Sequence, residues 1–322
     1  MVSELSLCPA CGGTFATRIP YPNQGSRRFT LHFTEIALCR DCNLGMALPA
    51  YSQAELDAFY SGGTYWNEAV GRSRPQVLHE RNQCRHRVRH ALHALGGRSG
   101  LRVLDIGAGH GWTAYWLDQA SAGTFAQFDF IEPDESCSRE ILARAGRFTM
   151  QRVPSLADAH AGYDLVFLNH VLEHVADPLA CVQHILSLLA PDGIAYFETP
   201  HADQRFKSDV FPHTWFFTPP ALSRLAVRTG ASELLQEVFG RLPTSKPSDL
   251  LRRGAFRASA ELGLNGLAGF FDDGVWRYAP ASDGIWIRWM IAPPKIALSI
   301  DTRQRADEAT DFTDVAKPSR LA

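Results

Sequence analysis

The chain has 322 residues and a formal net charge of −2, and 45% of its residues are hydrophobic, which is ordinary for a globular protein with a sizeable core. Nothing in this overall charge predicts attraction to nucleic acid or to an anionic membrane. No apolar stretch approaches the roughly 18–20 residues that span a bilayer, and residues 1–4 lack the basic start of a signal peptide, so we expect a cytoplasmic protein.

Residues 1–50 are predicted to be a loop-rich module that contains two close cysteine pairs. Cys8 and Cys11 form one pair, and Cys39 and Cys42 form the other. Each pair can place two thiolates on one tight turn, and four thiolates suit a tetrahedral, structural zinc ion. The 27 residues between the pairs exceed the usual ribbon spacing, so we expect this segment to form its own hairpin. Unligated thiols are the alternative.

Residues 51–99 are predicted to form a helical linker or lid. Ser52 can cap a first helix that runs to Tyr60, because Glu55 follows it at the capping-box spacing. A second helix is predicted over 77–95, with an apolar stripe and many arginines and histidines. We expect its arginines to lie on a solvated face; they are Arg81, Arg85, Arg87 and Arg89.

Residues 100–300 are predicted to form one α/β domain, because strands alternate with helices and therefore imply a mostly parallel sheet. The predicted strands are 102–106, 128–131, 148–151, 164–168, 194–198, 233–239 and 285–291. The predicted helices are 111–119, 134–145, 178–189 and 219–229. An insertion over about 240–284 contains a possible helix at 248–264 and an apolar patch at 267–271. The polar tail, 301–322, is predicted to be disordered.

A glycine-rich loop joins the first of these strands to its helix. Gly107, Ala108, Gly109 and Gly111 form the loop, and Trp112 follows it. Glycines let the backbone turn sharply and approach a ligand, and the helix start favours a carboxylate or a phosphate. In a dinucleotide-binding loop the third glycine would fall at Trp112, where a bulky side chain fits poorly.

Two carboxylates flank this loop. Asp105 ends the strand before it, and Glu132 ends the next strand. A carboxylate beside the loop suits a cationic ligand group and repels a pyrophosphate. A carboxylate at the end of the second strand can accept hydrogen bonds from two ribose hydroxyls. Ordinary solvated acids are the alternative for either residue alone, but the pair in register with the loop favours a ligand.

These motifs resemble those of class I S-adenosylmethionine (SAM)-dependent methyltransferases. The resemblance covers about residues 100–239 and includes the D-x-G-x-G-x-G loop, residues 163–178 and residues 189–193. It implies a Rossmann-like, seven-stranded, mostly parallel sheet with an antiparallel last strand, helices on both faces, and SAM across the carboxyl ends of the first strands.

The resemblance also implies roles for individual residues. It assigns Glu132 to the ribose of SAM, and Asn169 and His170 to the methyl-donor pocket. The resemblance places the adenine contact within residues 151–156, and the residue that makes it stays open. The assignment to the methionine part of SAM covers Asp105, Gly107, Ala108, Gly109 and Gly111.

Histidines are the candidates for a general base, which is needed only if the acceptor must lose a proton. His170, His174, His201 and His213 all follow the predicted strands, and we select His174 and His213 as catalytic. Two alternatives stay open at this point: a structural role in which Glu173 and His174 only hold their loop, and a role of the aromatic segment 211–218 around His213 as core only.

The cysteine pairs together with this domain resemble a methyltransferase subgroup that has an N-terminal zinc-binding module and often acts on nucleotide-linked sugars or other glycan precursors. The resemblance implies a small-molecule acceptor, such as a sugar, a glycan precursor or a natural-product intermediate. One alternative is an RNA methyltransferase that uses the cysteine knuckles and the arginine-rich helix, although the overall charge argues against nucleic acid. Another is a SAM-binding module without activity. Oligomeric state and the methylated element stay open.

Overall fold

The computed structural model describes residues 7–23, 30–61, 73–120, 125–143 and 148–294. The tail predicted to be disordered, 301–322, lies outside these residues. Within them, no helix is both long enough and apolar enough to cross a membrane.

Eleven strands and eight α-helices make up the described part of the chain. The strands are β1 (Phe15–Pro20), β2 (Glu35–Cys39), β3 (Gly45–Leu48), β4 (Leu101–Ile106), β5 (Phe125–Ile131), β6 (Thr149–Arg152), β7 (Tyr163–Asn169), β8 (Leu189–Pro200), β9 (Trp215–Phe216), β10 (Ser232–Phe239) and β11 (Trp286–Ala292). The helices are α1 (Gln53–Ser61), α2 (Arg74–Ala94), α3 (Trp112–Ala120), α4 (Glu135–Ala143), α5 (Pro178–Leu188), α6 (Pro219–Thr229), α7 (Pro247–Glu261) and α8 (Asn265–Trp276).

Seven strands form the main sheet, in the order β10-β11-β8-β7-β4-β5-β6. The neighbours from β8 to β6 pair in parallel, whereas β11 runs antiparallel to both β8 and β10. This arrangement confirms the predicted α/β fold with an antiparallel last strand. The central strand β7 is apolar on both faces from Leu165 to Leu168, as expected for a parallel strand covered on both sides. The carboxyl ends of β4, β5 and β7 therefore meet at one edge.

A second, four-stranded sheet has the order β1-β2-β3-β9. The pairing of β1 with β2 confirms the hairpin expected between the cysteine pairs. The N-terminal region, expected to be loop-rich, contains three short strands, β1, β2 and β3. The fourth strand, β9, comes from the α/β region, and Ala47 N donates to Thr214 O at 2.8 Å. The two sheets thus share a boundary, and the division at 50 and 99 stays a prediction.

The insertion folds as a hairpin of α7 and α8 that packs on α2. The possible helix at 248–264 corresponds to α7, and the apolar patch at 267–271 lies within α8, which the sequence did not predict as a helix. Buried Asp272 contacts His79 Nδ1 at 2.9 Å and accepts from Asn82 Nδ2 at 2.7 Å. Asp273 accepts from Arg85 Nη2 at 2.8 Å. These contacts hold the α7–α8 hairpin against one side of α2.

The expected solvated face of α2 is wrong for three of its four arginines, whereas Arg89 is exposed. Arg87 is buried. The guanidinium carbon of Arg81 lies 4.7 Å from the ring centroid of Tyr115 and 5.7 Å from that of Trp112, both on α3. With Arg85 paired to Asp273, three of the four arginines bind within the protein. The helix therefore clamps the start of α3, where the glycine loop ends.

Candidate functional site

The glycine loop adopts a backbone that only glycine takes without strain. The φ angles of Gly107, Gly109 and Gly111 are 68°, 53° and 73°, all in the left-handed region. A Cβ atom at Gly107 would lie 2.5 Å from Cγ2 of Val171, and one at Gly111 would lie 2.9 Å from Cγ1 of Ile141. Both conformation and space therefore require glycine, and the loop is a tight cradle between β4 and α3.

Asp105 is a buried carboxylate beside this cradle. It is the next-to-last residue of β4, and its Oδ2 atom has no hydrogen-bond partner among the described residues. Burial raises the pKa of Asp105 to about 7, although a hydrogen bond with Thr113 and the charge of Arg87 oppose this shift. A buried acceptor without a partner fits a cationic ligand group such as an ammonium.

Glu132 links the loop to β5. Its Oε2 accepts from Gly109 N at 2.7 Å, and its Oε1 accepts from Asp134 N at 2.9 Å. Burial raises the pKa of Glu132 to about 7, and the two backbone bonds act in the opposite direction. Each carboxylate oxygen has a second lone pair, so both can still accept a hydroxyl. The residue expected at the ribose thus also holds the loop in shape.

Asn169 and His170 lie at the carboxyl end of β7, next to β4. The Oδ1 atom of Asn169 is buried and has no hydrogen-bond partner in the described part of the chain. His170 has a φ angle of 56°, which is uncommon for a residue with a side chain. Its backbone N–H donates to Glu198 O at 2.8 Å, which fixes this conformation. The chain therefore reverses sharply at the edge of the cradle.

The imidazole of His170 lies between two buried carboxylates. Its Nδ1 is 3.2 Å from Glu173 Oε1, and its Nε2 is 3.3 Å from Glu198 Oε1. An imidazole donates from both nitrogens only when it is protonated. Burial would lower the pKa of His170, but its hydrogen bonds to Glu173 and Glu198 raise it above the usual range. The contacts with both carboxylates therefore favour the protonated form of His170.

Arg87 completes this group of charges from α2. Its Nε and Nη2 atoms donate to Glu198 Oε1 at 3.0 and 2.6 Å. Burial would raise the pKa of Glu198, but the charge of Arg87 and the hydrogen bond from His170 hold it well below the usual range. Two cations thus neutralise the Glu198 carboxylate in the interior.

The imidazole rings of His174 and His213 lie next to each other. Their ring centroids lie 4.9 Å apart at an interplanar angle of 71°. His174 Nδ1 is 2.7 Å from the hydroxyl of Tyr60 on α1. His213 Nδ1 is 3.3 Å from Oδ2 of buried Asp203. Each ring is thereby oriented through its Nδ1 atom.

Glu173 connects this pair to His170. Its Oε1 atom lies 3.9 Å from His174 Nε2, and one side-chain atom from each of Glu173, His174 and His213 lies within 4.8 Å of the others. Burial lowers the pKa of His174 to about 3 despite the Glu173 charge. Burial would raise the pKa of Glu173, but the hydrogen bond from His170 and the nearby histidines lower it to about 2. At neutral pH an uncharged imidazole therefore faces a carboxylate.

His201 belongs to different contacts. Its Nδ1 donates to the Gly284 carbonyl at 2.9 Å, and its backbone N–H donates to Ile285 O at 2.9 Å. Burial lowers its pKa. His201 therefore joins the end of β8 to the start of β11.

Sequence reasoning missed four residues of this site: Tyr60, Arg87, Glu198 and Asp203. Arg87 was noted only as part of an arginine-rich face. Glu198 was recognised only as the last residue of a predicted strand. A carboxylate at the end of a strand, at the edge of the sheet where the cradle lies, was a signal by which sequence reasoning could have found it. Nothing local in the sequence connects Tyr60 or Asp203 with histidines so distant along the chain.

The four cysteines of the N-terminal sheet converge. Cys8 Sγ lies 3.6 Å from Cys42 Sγ, and Cys11 Sγ lies 3.4 Å from Cys39 Sγ. One sulfur from each of the four lies within 4.8 Å of every other. Arg228 on α6 donates to the carbonyls of Cys8 and Pro9, which fastens this cluster to the main domain. The other three cysteines lie apart in α2, α4 and α5.

Comparison with known proteins agrees with this geometry. A family profile described as a methyltransferase domain matches residues 78–236. The ubiquinone biosynthesis O-methyltransferase of Vibrio cholerae is 28% identical over 222 residues, which cover 66% of this chain and 81% of that protein. The enzyme of the same name from Xanthomonas campestris is 33% identical over 156 residues, which cover 46% of this chain and 62% of that protein.

Among solved structures, a SAM-dependent methyltransferase of Leishmania major is similar to this chain with a TM-score of 0.48 and 16% identity, over 74% of this chain and 82% of that one.

The glycine cradle, its buried carboxylates and the matched domain together define the class of this protein. The chain belongs to the class I SAM-dependent methyltransferases.

A substitution at Gly107 tests the cradle. We expect Gly107→Ala to weaken binding of S-adenosylhomocysteine (SAH) at least tenfold, because the added Cβ meets Val171 in a backbone that also strains alanine. Gly97→Ala is the matched control, since Gly97 has a φ angle of 78° and nothing lies within 4 Å of its added Cβ. Both variants should lose about 1–2 kcal/mol of stability from strain. Equal SAH affinity in calorimetry of the two variants would contradict this account.

The pH dependence of SAH binding tests Asp105. Its raised pKa of about 7 means that the carboxyl is largely protonated below that pH and cannot pair with an ammonium. We therefore expect SAH affinity, measured by calorimetry, to rise as pH increases through about 7. Asp105→Asn should bind about ten- to hundredfold more weakly at pH 8, as for a lost charged hydrogen bond.

In Asp105→Asn most of the rise in SAH affinity with pH should also disappear. The rise that remains should come from the titration of Glu132. Asp283→Asn, at an exposed position, is the control and should behave as the native protein. A native-like pH profile in Asp105→Asn would refute the assignment.

Proposed function

We propose that the cradle at β4, β5 and β7 holds SAM as the resemblance implied. Asp105 and the loop residues Gly107, Ala108, Gly109 and Gly111 would bind the methionine part, with Asp105 Oδ2 available to its ammonium. Glu132 would accept the ribose hydroxyls. Asn169 and His170 would border the methyl group, where Asn169 Oδ1 is another acceptor without a partner. When bound, SAM supplies a methyl group that its sulfonium has already activated.

The chain's own residues have two tasks in such a reaction: to align the acceptor and to accept its proton. The pair of His174 and His213 carries this proposal, because it combines an uncharged imidazole with the carboxylate of Glu173. His174 would take the proton of an acceptor hydroxyl, and Glu173 would stabilise the resulting imidazolium. His213, held by Asp203, and Tyr60 would orient the acceptor and His174.

A base of this kind favours an acceptor that must lose a proton, such as a hydroxyl. We therefore infer O-methylation of a small molecule, such as a sugar, a glycan precursor or a natural-product intermediate. The relatives are named as O-methyltransferases, which supports oxygen as the methylated atom. A panel of hydroxylated acceptors that includes nucleotide-linked sugars and phenols, assayed by SAH release, tests this proposal. Turnover of only carbon or nitrogen nucleophiles would overturn it.

The structure offers no support for the RNA alternative from α2. Arg81 stacks on aromatic rings of α3, Arg85 pairs with Asp273, and Arg87 pairs with Glu198. A phosphate footprint needs basic side chains that face solvent. Three of the four arginines that raised this alternative are instead engaged inside the protein.

We propose that Cys8, Cys11, Cys39 and Cys42 bind a structural zinc ion. Tetrahedral zinc with Zn–S bonds of about 2.3 Å places its sulfurs about 3.8 Å apart. The two measured separations, 3.6 and 3.4 Å, are close to this value. Four thiolates would leave no open coordination position, so the ion would have a structural role. It would hold the N-terminal sheet beside His213.

Zinc content tests the cysteine site. We expect elemental analysis of the purified protein to find one zinc ion per chain. Cys39→Ser should lose most of it and melt at a lower temperature, because the ion contributes folding free energy. Cys181→Ser, at a partly buried position on α5, is the control and should retain the metal. A native protein that contains no zinc and is indifferent to chelators would contradict the proposal.

Turnover tests the histidine pair once the panel has identified an acceptor. His174→Ala and His213→Ala should each lower kcat by about 10²–10⁴-fold, the usual contribution of a general base. Their SAH affinity should stay within about threefold of the native value, because neither residue belongs to the donor cradle. His160→Ala, at an exposed position, is the control. Unchanged kcat in both variants would remove the base assignment.

A further inference from the structure

The exposed surface of α7 includes a stripe of apolar side chains, although a helix on the surface usually presents polar residues to solvent. Phe256, Ser259 and Ala260 are buried and face the protein. Another side of the helix carries the exposed residues Leu251, Ala258 and Leu262, spaced by seven and four residues so that they form one stripe. Leu251 and Leu262 are 75% and 74% exposed.

The apolar surface continues around the turn into α8. Leu264, Leu267 and Phe270 are all exposed, and Phe270 is 70% exposed. Residues 262–270 contain no charged side chain. Six of the ten exposed large hydrophobic side chains that the structure describes lie on the hairpin, and Leu250 is one of these six. Contiguous exposure of this kind marks a surface that something else covers.

The charges of the hairpin decide which partner fits. Its acidic side chains are mostly occupied: Asp249 is paired with Arg241, and Asp272 and Asp273 bind residues of α2. Glu261 is its one exposed acid among residues 247–276. The exposed cations are Lys246, Arg252, Arg253 and Arg257, and none of them forms an ion pair within the described residues. The surface is therefore apolar and cationic.

We propose that the α7–α8 hairpin docks on an anionic lipid bilayer surface. The leucines and Phe270 would enter the interfacial region, and the surrounding arginines and Lys246 would contact the lipid headgroups. This combination of an apolar face with neighbouring basic residues is the one that binds such interfaces. The helices lie on the membrane in this arrangement and do not cross it. The overall charge of −2 did not predict this surface, because its positive character is local: the exposed cations Lys246, Arg252, Arg253 and Arg257 lie within twelve residues of one another.

Co-sedimentation of the full-length protein with vesicles tests the proposal. Binding is expected to vesicles of phosphatidylcholine mixed with phosphatidylglycerol, and it should weaken in high salt and with phosphatidylcholine alone. Leu251→Ser and Phe270→Ser should each weaken binding about tenfold through the loss of buried apolar area. Arg253→Gln should weaken it about fivefold, the effect of one basic residue near a charged surface.

Val227→Ser is the matched control, because Val227 is 76% exposed on α6, away from the hairpin. Circular dichroism and SAH calorimetry should be unchanged in all four variants, which separates this proposal from the donor assignment. Absence of binding to the anionic vesicles would overturn the proposal. So would equal binding by Val227→Ser and Leu251→Ser, or a dimer seen by light scattering that Leu251→Ser dissociates.

Discussion

The geometry of the site depends on one buried carboxylate, Glu198. It receives two hydrogen bonds from Arg87 and one contact from the His170 ring, and its own backbone carbonyl fixes the left-handed turn at His170. A carboxylate in the interior is tolerated only when cations and donors satisfy it. Removing one partner of such a pair costs about 3–5 kcal/mol. Helix α2, the central strands and the turn after β7 are therefore energetically linked.

The same charges prepare the acceptor side. His170 is the cation shared by Glu198 and Glu173, so it partly neutralises the carboxylate that faces His174. Burial is the main reason that His174 stays uncharged, and the charges of His213 and His170 act in the same direction against that of Glu173. The order Arg87, Glu198, His170, Glu173 alternates basic and acidic groups, and the hydrogen bond from His170 helps to keep Glu173 ionised. One chain of contacts connects the lid helix with the proposed base.

The sequence predicted the seven strands of the main sheet and the glycine cradle because these are local patterns. Alternating strands and helices, Gly107, Gly109 and Gly111 in one loop, and paired cysteines are all visible at short range. Contacts between distant segments left no such mark. Arg87 looked like a surface residue because its partner, Glu198, lies 111 positions away. Tyr60 meets His174 across 114 positions, and α8 was missed because its glycines weaken the helical pattern.

The last strand of the N-terminal sheet, β9, comes from the part of the chain that forms the main domain. Strand β9 pairs with β3 directly after His213, and Thr218 at the start of α6 donates to Cys42 O at 2.8 Å. An exchange of the first 50 residues between related enzymes would therefore have to carry residues 214–218 with it, or the hybrid sheet would lose its edge pairing. The cysteine module and the segment around His213 are constrained to change together in evolution, although more than 160 residues of sequence separate them.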